Sequence, residues 1–339
     1  ITVGGQTRAA TNNGNGTWAL ADNTISPALG DGTYNVVVTA TDSLGNVATD
    51  ATTNELTVDG SVPMVTVNVL STMDTRPPLT GTVSTPAATI LVDVGGQTNL
   101  AATNNGNGTW TLADDVINPG LGDGVYDVLV RATTSGTGTD STANELVIDT
   151  TPPVVTINPL ITLDQRPPLS GTVDDTTATI LIDVDGQTGL AATNNGDGTW
   201  TLANDVINPN LAANTYDVTV TATDSRGNAD TDGSTNELTI DLTAPTITIT
   251  SISTNDTTPA LSGAVNDNSA TISIDVGGQT NLVAVNNGDG TWTLADNIIS
   301  PLTPNVYNVV ARATDVAGNV GTDGSAGELT LDTTAPTVT

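Results

Sequence analysis

The sequence predicts an all-β chain: tandem sandwich domains of about seven strands each, strung into an elongated rod. Three observations carry this. Short segments alternate apolar and polar residues, no segment has a helical period, and the pattern recurs about every 91 residues. "NNGxGTW" stands at Asn12–Trp18, Asn104–Trp110, Asn194–Trp200 and Asn286–Trp292, and "EL" plus an apolar residue and Asp recurs at Glu55–Asp59, Glu145–Asp149, Glu237–Asp241 and Glu328–Asp332. Such a period is long for a solenoid and suits small independent domains.

The strands follow in order, taken in the third copy. The first is expected near 153–158 and the second near 168–173. "ATILIDV" gives a third near 178–184, and a fourth is expected near 189–193. The Trp200 segment is the fifth, near 199–203. "YDVTVTA" sets Tyr216, Val218, Val220 and Ala222 on one face of a sixth, near 215–223. The seventh is expected near 235–241. Seven short antiparallel strands with turn signals between them suggest an immunoglobulin-like sandwich. Each copy has one Trp (Trp18, Trp110, Trp200, Trp292) and one Tyr (Tyr34, Tyr126, Tyr216, Tyr307), and the chain has no Phe. The Trp is therefore read as the core anchor and the Tyr as a tyrosine corner, not as a sugar platform.

Asp-x-x-x-Pro connectors ("DGSVP", "DTTPP", "DLTAP", "DTTAP") mark the boundaries. They give a partial repeat over 1–59, full repeats over 60–149, 150–241 and 242–332, and the start of another over 333–339. The phase gives the expectation that the fragment is cut from a longer array.

Formal charge is −31, from 37 acids and 6 Arg. Such a surface repels nucleic acid and anionic membrane, so no nucleic-acid partner and no membrane insertion are expected. Cys is absent, which excludes a disulfide framework. His, Cys and Lys are all absent, so only carboxylate pairs could do acid–base chemistry; no carboxylate sits beside an expected apolar cleft, and the chain is read as a non-enzyme.

Antiparallel order places the loop after the second strand and the loop after the sixth at one end, beside the incoming linker. Repeat three gathers Asp174 and Asp175, then Asp224, Asn228, Asp230 and Asp232, with Asp149 from the linker. Repeat four gathers Asn266, Asp267 and Asn268, then Asp315, Asn319 and Asp323, with Asp241. The partial repeat has Asp42, Asn46 and Asp50. Crowded carboxylates repel unless a cation offsets them, and six to eight oxygen ligands suit Ca²⁺. Repeat two reads "STPA" and "TTSGTG" in the two loops, so both lost their acids together, as expected if they serve one site. The remaining acids have plainer readings. "NNGDG" is expected to be a hairpin turn, as is "NGT" at Asn15 and Asn107, despite its match to a glycosylation sequon. Asp93, Asp183 and Asp275 are expected on an outward face, and Asp74, Asp164 and Asp256 in loops at the opposite end.

At Thr41–Asn46, Thr223–Asn228 and Thr314–Asn319 ("TDxxGN"), with Glu237–Pro245, Glu328–Pro336 and the Thr254–Asp267 hairpin, the chain resembles the bacterial Ig-like repeats of giant secreted adhesins, including RTX-type and biofilm-associated ones. The resemblance implies a structural extender, stiffened by Ca²⁺ at its junctions and displayed outside the cell, with the distal ligand bound by other domains. It carries ligand roles to Asp224, Asn228, Asp315 and Asn319, and repeat two departs from the pattern. The partners expected of this chain are its own neighbouring repeats, in a monomer advancing about 40 Å per domain, since a strand of about ten residues spans about 33 Å. A sugar- or ice-binding module is the alternative; it would need an exposed aromatic platform or a ranked Thr array.

Overall fold

The structure is a computed structural model and describes residues 1–338. Every regular element among them is a β-strand. Two compact units are present, one over Ile1–Thr151 and one from Pro152 onward.

Within the second unit, repeat three sets the pattern. A seven-stranded sheet runs in the order Val155–Ile157, Leu169–Val173, Thr199–Leu202, Gln187–Asn194, Thr179–Val184, Val218–Thr223, Ala229–Thr231. A three-stranded sheet, Leu160–Thr162, Leu238–Ile240 and Asn214–Tyr216, closes over it. Repeats two and four carry the same two sheets. Alternation explains the buried faces: Ile180, Ile182 and Val184 face in from one strand, and Val218, Val220 and Ala222 from its neighbour.

Three features differ from the seven-strand expectation. The first strand continues past Pro159 into Leu160–Thr162, which leaves the large sheet and pairs in parallel with Leu238–Ile240. The same change of sheet occurs at Val69 and Ser251 in repeats two and four, so Pro159, which cannot donate to a ladder, is tolerated there and is not its cause. The sixth strand is broken at Asp217, so Tyr216 pairs with Leu238 while Val218–Thr223 pairs with Thr179–Val184. Finally, the stretch after the sixth strand is not one loop. It makes a hairpin with Ala229–Thr231 and only then crosses to Leu238. Asp230 therefore lies in a strand and Asp232 on the crossing segment.

Trp110, Trp200 and Trp292 are fully buried, and each Nε1 donates to the carbonyl of a first-strand threonine: Thr66 (2.9 Å), Thr156 (2.8 Å) and Thr248 (3.0 Å). A glycine makes room for the indole. A Cβ on Gly171 would meet the Thr156 oxygen at 1.9 Å and Trp200 Nε1 at 2.7 Å. Trp18 is 49% exposed, because residues 1–59 contain no counterpart of the strands that cover Trp200. The tyrosines behave as corners: Tyr34, Tyr126, Tyr216 and Tyr307 donate from Oη to the carbonyl four residues earlier, at 2.7 to 3.0 Å.

The glutamates of the "EL" motif stabilise the break in the sixth strand. Val128 N donates to Glu145 Oε2 (3.0 Å), Val218 N to Glu237 Oε2 (3.0 Å) and Val309 N to Glu328 Oε2 (2.9 Å). The amide released where the strand changes sheets is thus caught by a side chain, as a buried N–H requires.

Candidate functional site

The loop "DxxGN" opens the hairpin after the sixth strand. In repeat four, Asp315 Oδ1 accepts from Asn319 N (2.8 Å), and Asn319 Nδ2 donates to Asp315 Oδ2 (2.9 Å). The same amide donates to the carbonyl of Asp241 in the incoming linker (2.9 Å). Asn319 thus ties the loop to the linker. Beside it, Leu163 N, from repeat three, donates to the Ala317 carbonyl (3.1 Å). Gly318 has φ +96°, and a Cβ on it would approach Leu163 Cδ2 to 3.3 Å. Only glycine takes that conformation without strain. The junction of repeats three and four is therefore in direct contact.

Repeat two keeps the linker bond with another residue. Ser135 Oγ donates to the carbonyl of Asp59 (2.5 Å), the linker position equivalent to Asp241. Ser84 accepts from Met64 N (2.9 Å), just as Asp174 Oδ1 accepts from Val154 N (2.7 Å) and Asn266 Oδ1 from Thr246 N (2.7 Å). A hydroxyl replaces an amide at the first place and an Asp or Asn oxygen at the second, and the linker contacts are kept although the loop after the sixth strand closes more tightly, Thr134 N donating to the Gly136 carbonyl (2.9 Å). Both changed positions brace the incoming linker or the segment just after it, which is a reason other than a shared ion for them to change together.

The other candidate ligands fall into groups. Asp224 accepts from Arg226 N (2.8 Å), Asn228 N (2.9 Å) and Asn228 Nδ2 (2.9 Å); Asp42 does the same with Leu44 and Asn46. Partial burial opposes ionisation of Asp224, but these donors outweigh it and hold the carboxyl below its usual value. The Asn46 side chain is the main cause of the same lowering at Asp42. Asp175 and Asp267 cap their own turns through Thr177 and Ser269. The Ser269 bond keeps the Asp267 pKa low. Asp149 and Asp241 accept from Thr151 N and Thr243 N two residues on. Asn268 is exposed in the Asp267 turn. Asp230 is exposed in its strand, opposite Ala222. Asp50, Asp232 and Asp323 form a separate set, each accepting from a Ser or Thr two residues on.

At the junction, the oxygen donors that converge belong to the Asp–Asn pair and the linker. Among the described residues, no three acidic side chains gather into one metal-sized group. What converges in repeat four is the Asp315 carboxylate and the Asp241 carbonyl, both on the Asn319 amide. These are oxygen donors of the kind Ca²⁺ takes, and rotating the amide would add a third.

Two residues missed by sequence reasoning hold linkers from the other end. Asp31 Oδ1 accepts from Gly60 N (2.6 Å), and Asp123 accepts from Thr150 and Thr151, whose hydroxyls, Thr151 first, lower its pKa. The signal was "LGDG", present in the first two repeats and replaced by "LAAN" and "LTPN" in the others. Asp93 and Asp275 are not merely outward solubilising groups. They pair with Arg131 (2.7 Å) and Arg312 (2.6 Å) at about one-fifth side-chain exposure, and these hydrogen bonds keep both carboxyls below the usual range. Asp183 faces no arginine, since Thr221 stands where Arg131 and Arg312 do, and accepts from Gly189 N (2.6 Å). "NNGxG" is a hairpin turn, closed in repeat three by Asn195 N donating to the Thr199 carbonyl (2.9 Å). Asp74, Asp164 and Asp256 close turns through the amides two residues on.

The chain was compared with known proteins. No characterised protein sequence matches it significantly. Solved structures similar to it include one described as giving structural insight into host cell surface retention of a 1.5-MDa bacterial ice-binding adhesin (20% identity, 80% of this chain and 98% of that one, TM-score 0.36). Another is a tetra-tandem repeat in the extending region of a large adhesion protein (25% identity, 90% and 82%, TM-score 0.30). A third is the I9–I11 tandem of titin (11% identity, 80% and 100%, TM-score 0.34). The family model described as bacterial Ig-like domain matches residues 1–60, 158–242 and 246–333, leaving most of repeat two unmatched. With well over half its length matched and the same two-sheet architecture in its three full repeats, the chain belongs to the bacterial Ig-like domain family.

Proposed function

We propose that the chain is a structural spacer of a secreted bacterial surface adhesin, carrying a distal adhesive domain away from the cell, and that Ca²⁺ stiffens its junctions. The observation that carries this reading is the linker bond: Asn319 to the Asp241 carbonyl in one junction and Ser135 to the Asp59 carbonyl in another. A module whose loops grip the linker before it is suited to transmitting position along a chain. Family membership and the resemblance to adhesin repeats support the same reading.

When bound, Ca²⁺ would supply the positive charge that now comes only from N–H dipoles. Asp315, Asn319 and Asp241 would hold it in repeat four, Asp224 and Asn228 in repeat three, and Asp42 and Asn46 in the partial repeat. Extracellular modules bind Ca²⁺ with Kd on the order of 10⁻⁴ to 10⁻³ M, so these sites would be empty before export and filled outside. Small-angle scattering and thermal unfolding, in millimolar CaCl₂ and in chelator, test this. A larger maximum dimension and a higher Tm with Ca²⁺ are expected; identical values in both would overturn the calcium part.

A further inference from the structure

Away from the junctions, one atom is left unpartnered in every full repeat. Oε1 of Glu145, Glu237 and Glu328 is buried without a hydrogen-bond partner, and these residues are only 2%, 3% and 2% exposed. The same atom orphaned three times is a property of the repeat, and an orphaned buried oxygen calls for an unseen partner.

Its surroundings come from a spacing common to all four copies: Asp50-x-Thr52-x-x-Glu55, Asp140-x-Thr142-x-x-Glu145, Asp232-x-Ser234-x-x-Glu237 and Asp323-x-Ser325-x-x-Glu328. The middle hydroxyl donates to the Asp Oδ2, at 2.5 Å for Thr142–Asp140 and likewise for Ser234–Asp232 and Ser325–Asp323. The Thr142 and Ser325 hydroxyls also lie close enough to Glu145 and Glu328 to act on their ionisation. A hydroxyl carries one proton. Given to Asp, it leaves the Glu oxygen with none. The hydroxyl is the one donor set between the two carboxylates, whose other bonds come from backbone amides (Thr142 N to Asp140, Val128 N to Glu145), and among the described residues no arginine pairs with either.

Such a pair is unfavourable unless a proton or a cation neutralises it.

We propose that the Asp-x-Ser/Thr-x-x-Glu box of each full repeat is a cation site within the repeat, bounded inside by the buried Glu Oε1 and outside by the exposed hydroxyl, and holding a hard divalent ion such as Ca²⁺ between Glu Oε1, the Asp carboxylate and the hydroxyl oxygen. This site is independent of the junction, because repeat two retains Asp140, Thr142 and Glu145 although its junction loops lack acids. Asp232 and Asp323 thereby leave the junction set and join the interior one.

The test uses the whole chain with Ca²⁺ as probe. Equilibrium dialysis should show one fewer bound ion for each of Glu145→Gln, Glu237→Gln and Glu328→Gln. An Asp241→Asn/Asp315→Asn junction variant should keep all three interior ions, which separates failure of this site from failure of the junction. Crystals of the unaltered chain grown in CaCl₂ avoid any folding defect of the variants, and anomalous density beside Glu145 Oε1 is expected. A triple Gln variant that binds as many ions as the parent, or a peak at Glu145 that is water only, would overturn the proposal.

Discussion

Changing Asn319 to Asp tests the junction most directly. The substitution keeps the size of the side chain and removes the amide that donates to Asp315 Oδ2 and to the Asp241 carbonyl, both at 2.9 Å. A bond to a charged acceptor contributes about 1.5–3 kcal/mol and one to a carbonyl about 0.5–1.5 kcal/mol, so about 2–4.5 kcal/mol is lost. A second carboxylate about 4 Å from Asp315 adds repulsion, at most about 4 kcal/mol at an effective dielectric of 20 and less once the side chain swings toward water. Asn319→Ala loses the bonds without gaining the charge. In chelator, urea unfolding of the whole chain should therefore rank parent, then Asn319→Ala, then Asn319→Asp. Millimolar CaCl₂ should restore the Asp variant, which then offers two carboxylates and a carbonyl to the ion, and leave the Ala variant low. If Asn319→Asp unfolds with the parent in chelator, the linker bond contributes nothing and the reasoning fails. If Ca²⁺ rescues Ala and Asp alike, the ion acts elsewhere.

Gly171→Ala forces a Cβ to within 1.9 Å of the Thr156 oxygen and should destabilise repeat three by about 3 kcal/mol or more, read as a red-shifted Trp emission component at lower urea. Tyr216→Phe removes the bond to the Ala212 carbonyl and should cost about 1 kcal/mol in the same assay. Arg131→Met should cost about 1 kcal/mol at pH 7. Asp93, held below its unfolded value, contributes stability above pH ~4 and loses it as pH falls through its folded pKa, so the gap between parent and variant should close below pH ~4. A gap that widens in acid would reverse the assigned sign.

Much of the fold was legible because burial imposes a period of two: Ile180, Ile182 and Val184 announce their face by alternation alone. The changes of sheet were not legible. Leu160–Thr162 reads as loop because three residues carry no pattern, and its parallel partner, Leu238–Ile240, lies far along the chain. Asp217 interrupts the sixth strand without disturbing alternation, so nothing local marks the break. At the site, Asp315 and Asn319 are readable as a pair, since "DxxGN" is a local turn. Chain proximity groups Asp323 with them, whereas a hairpin and a crossing segment carry it to Glu328. The Ser135 bond was hidden because a hydroxyl replaces an amide, so its chemistry is continuous while its letters are not.

The parallel pairing of Leu160–Thr162 with Leu238–Ile240 has a mechanical consequence. One strand lies near the start of its repeat and the other ends it, and both point the same way. Tension applied through the two linkers pulls these strands in opposite directions along their length. All their cross-bonds are then loaded together in shear, rather than peeled one at a time as at a hairpin mouth. Shear loading of this pair lets the repeat resist stretching by force more than its modest size would suggest.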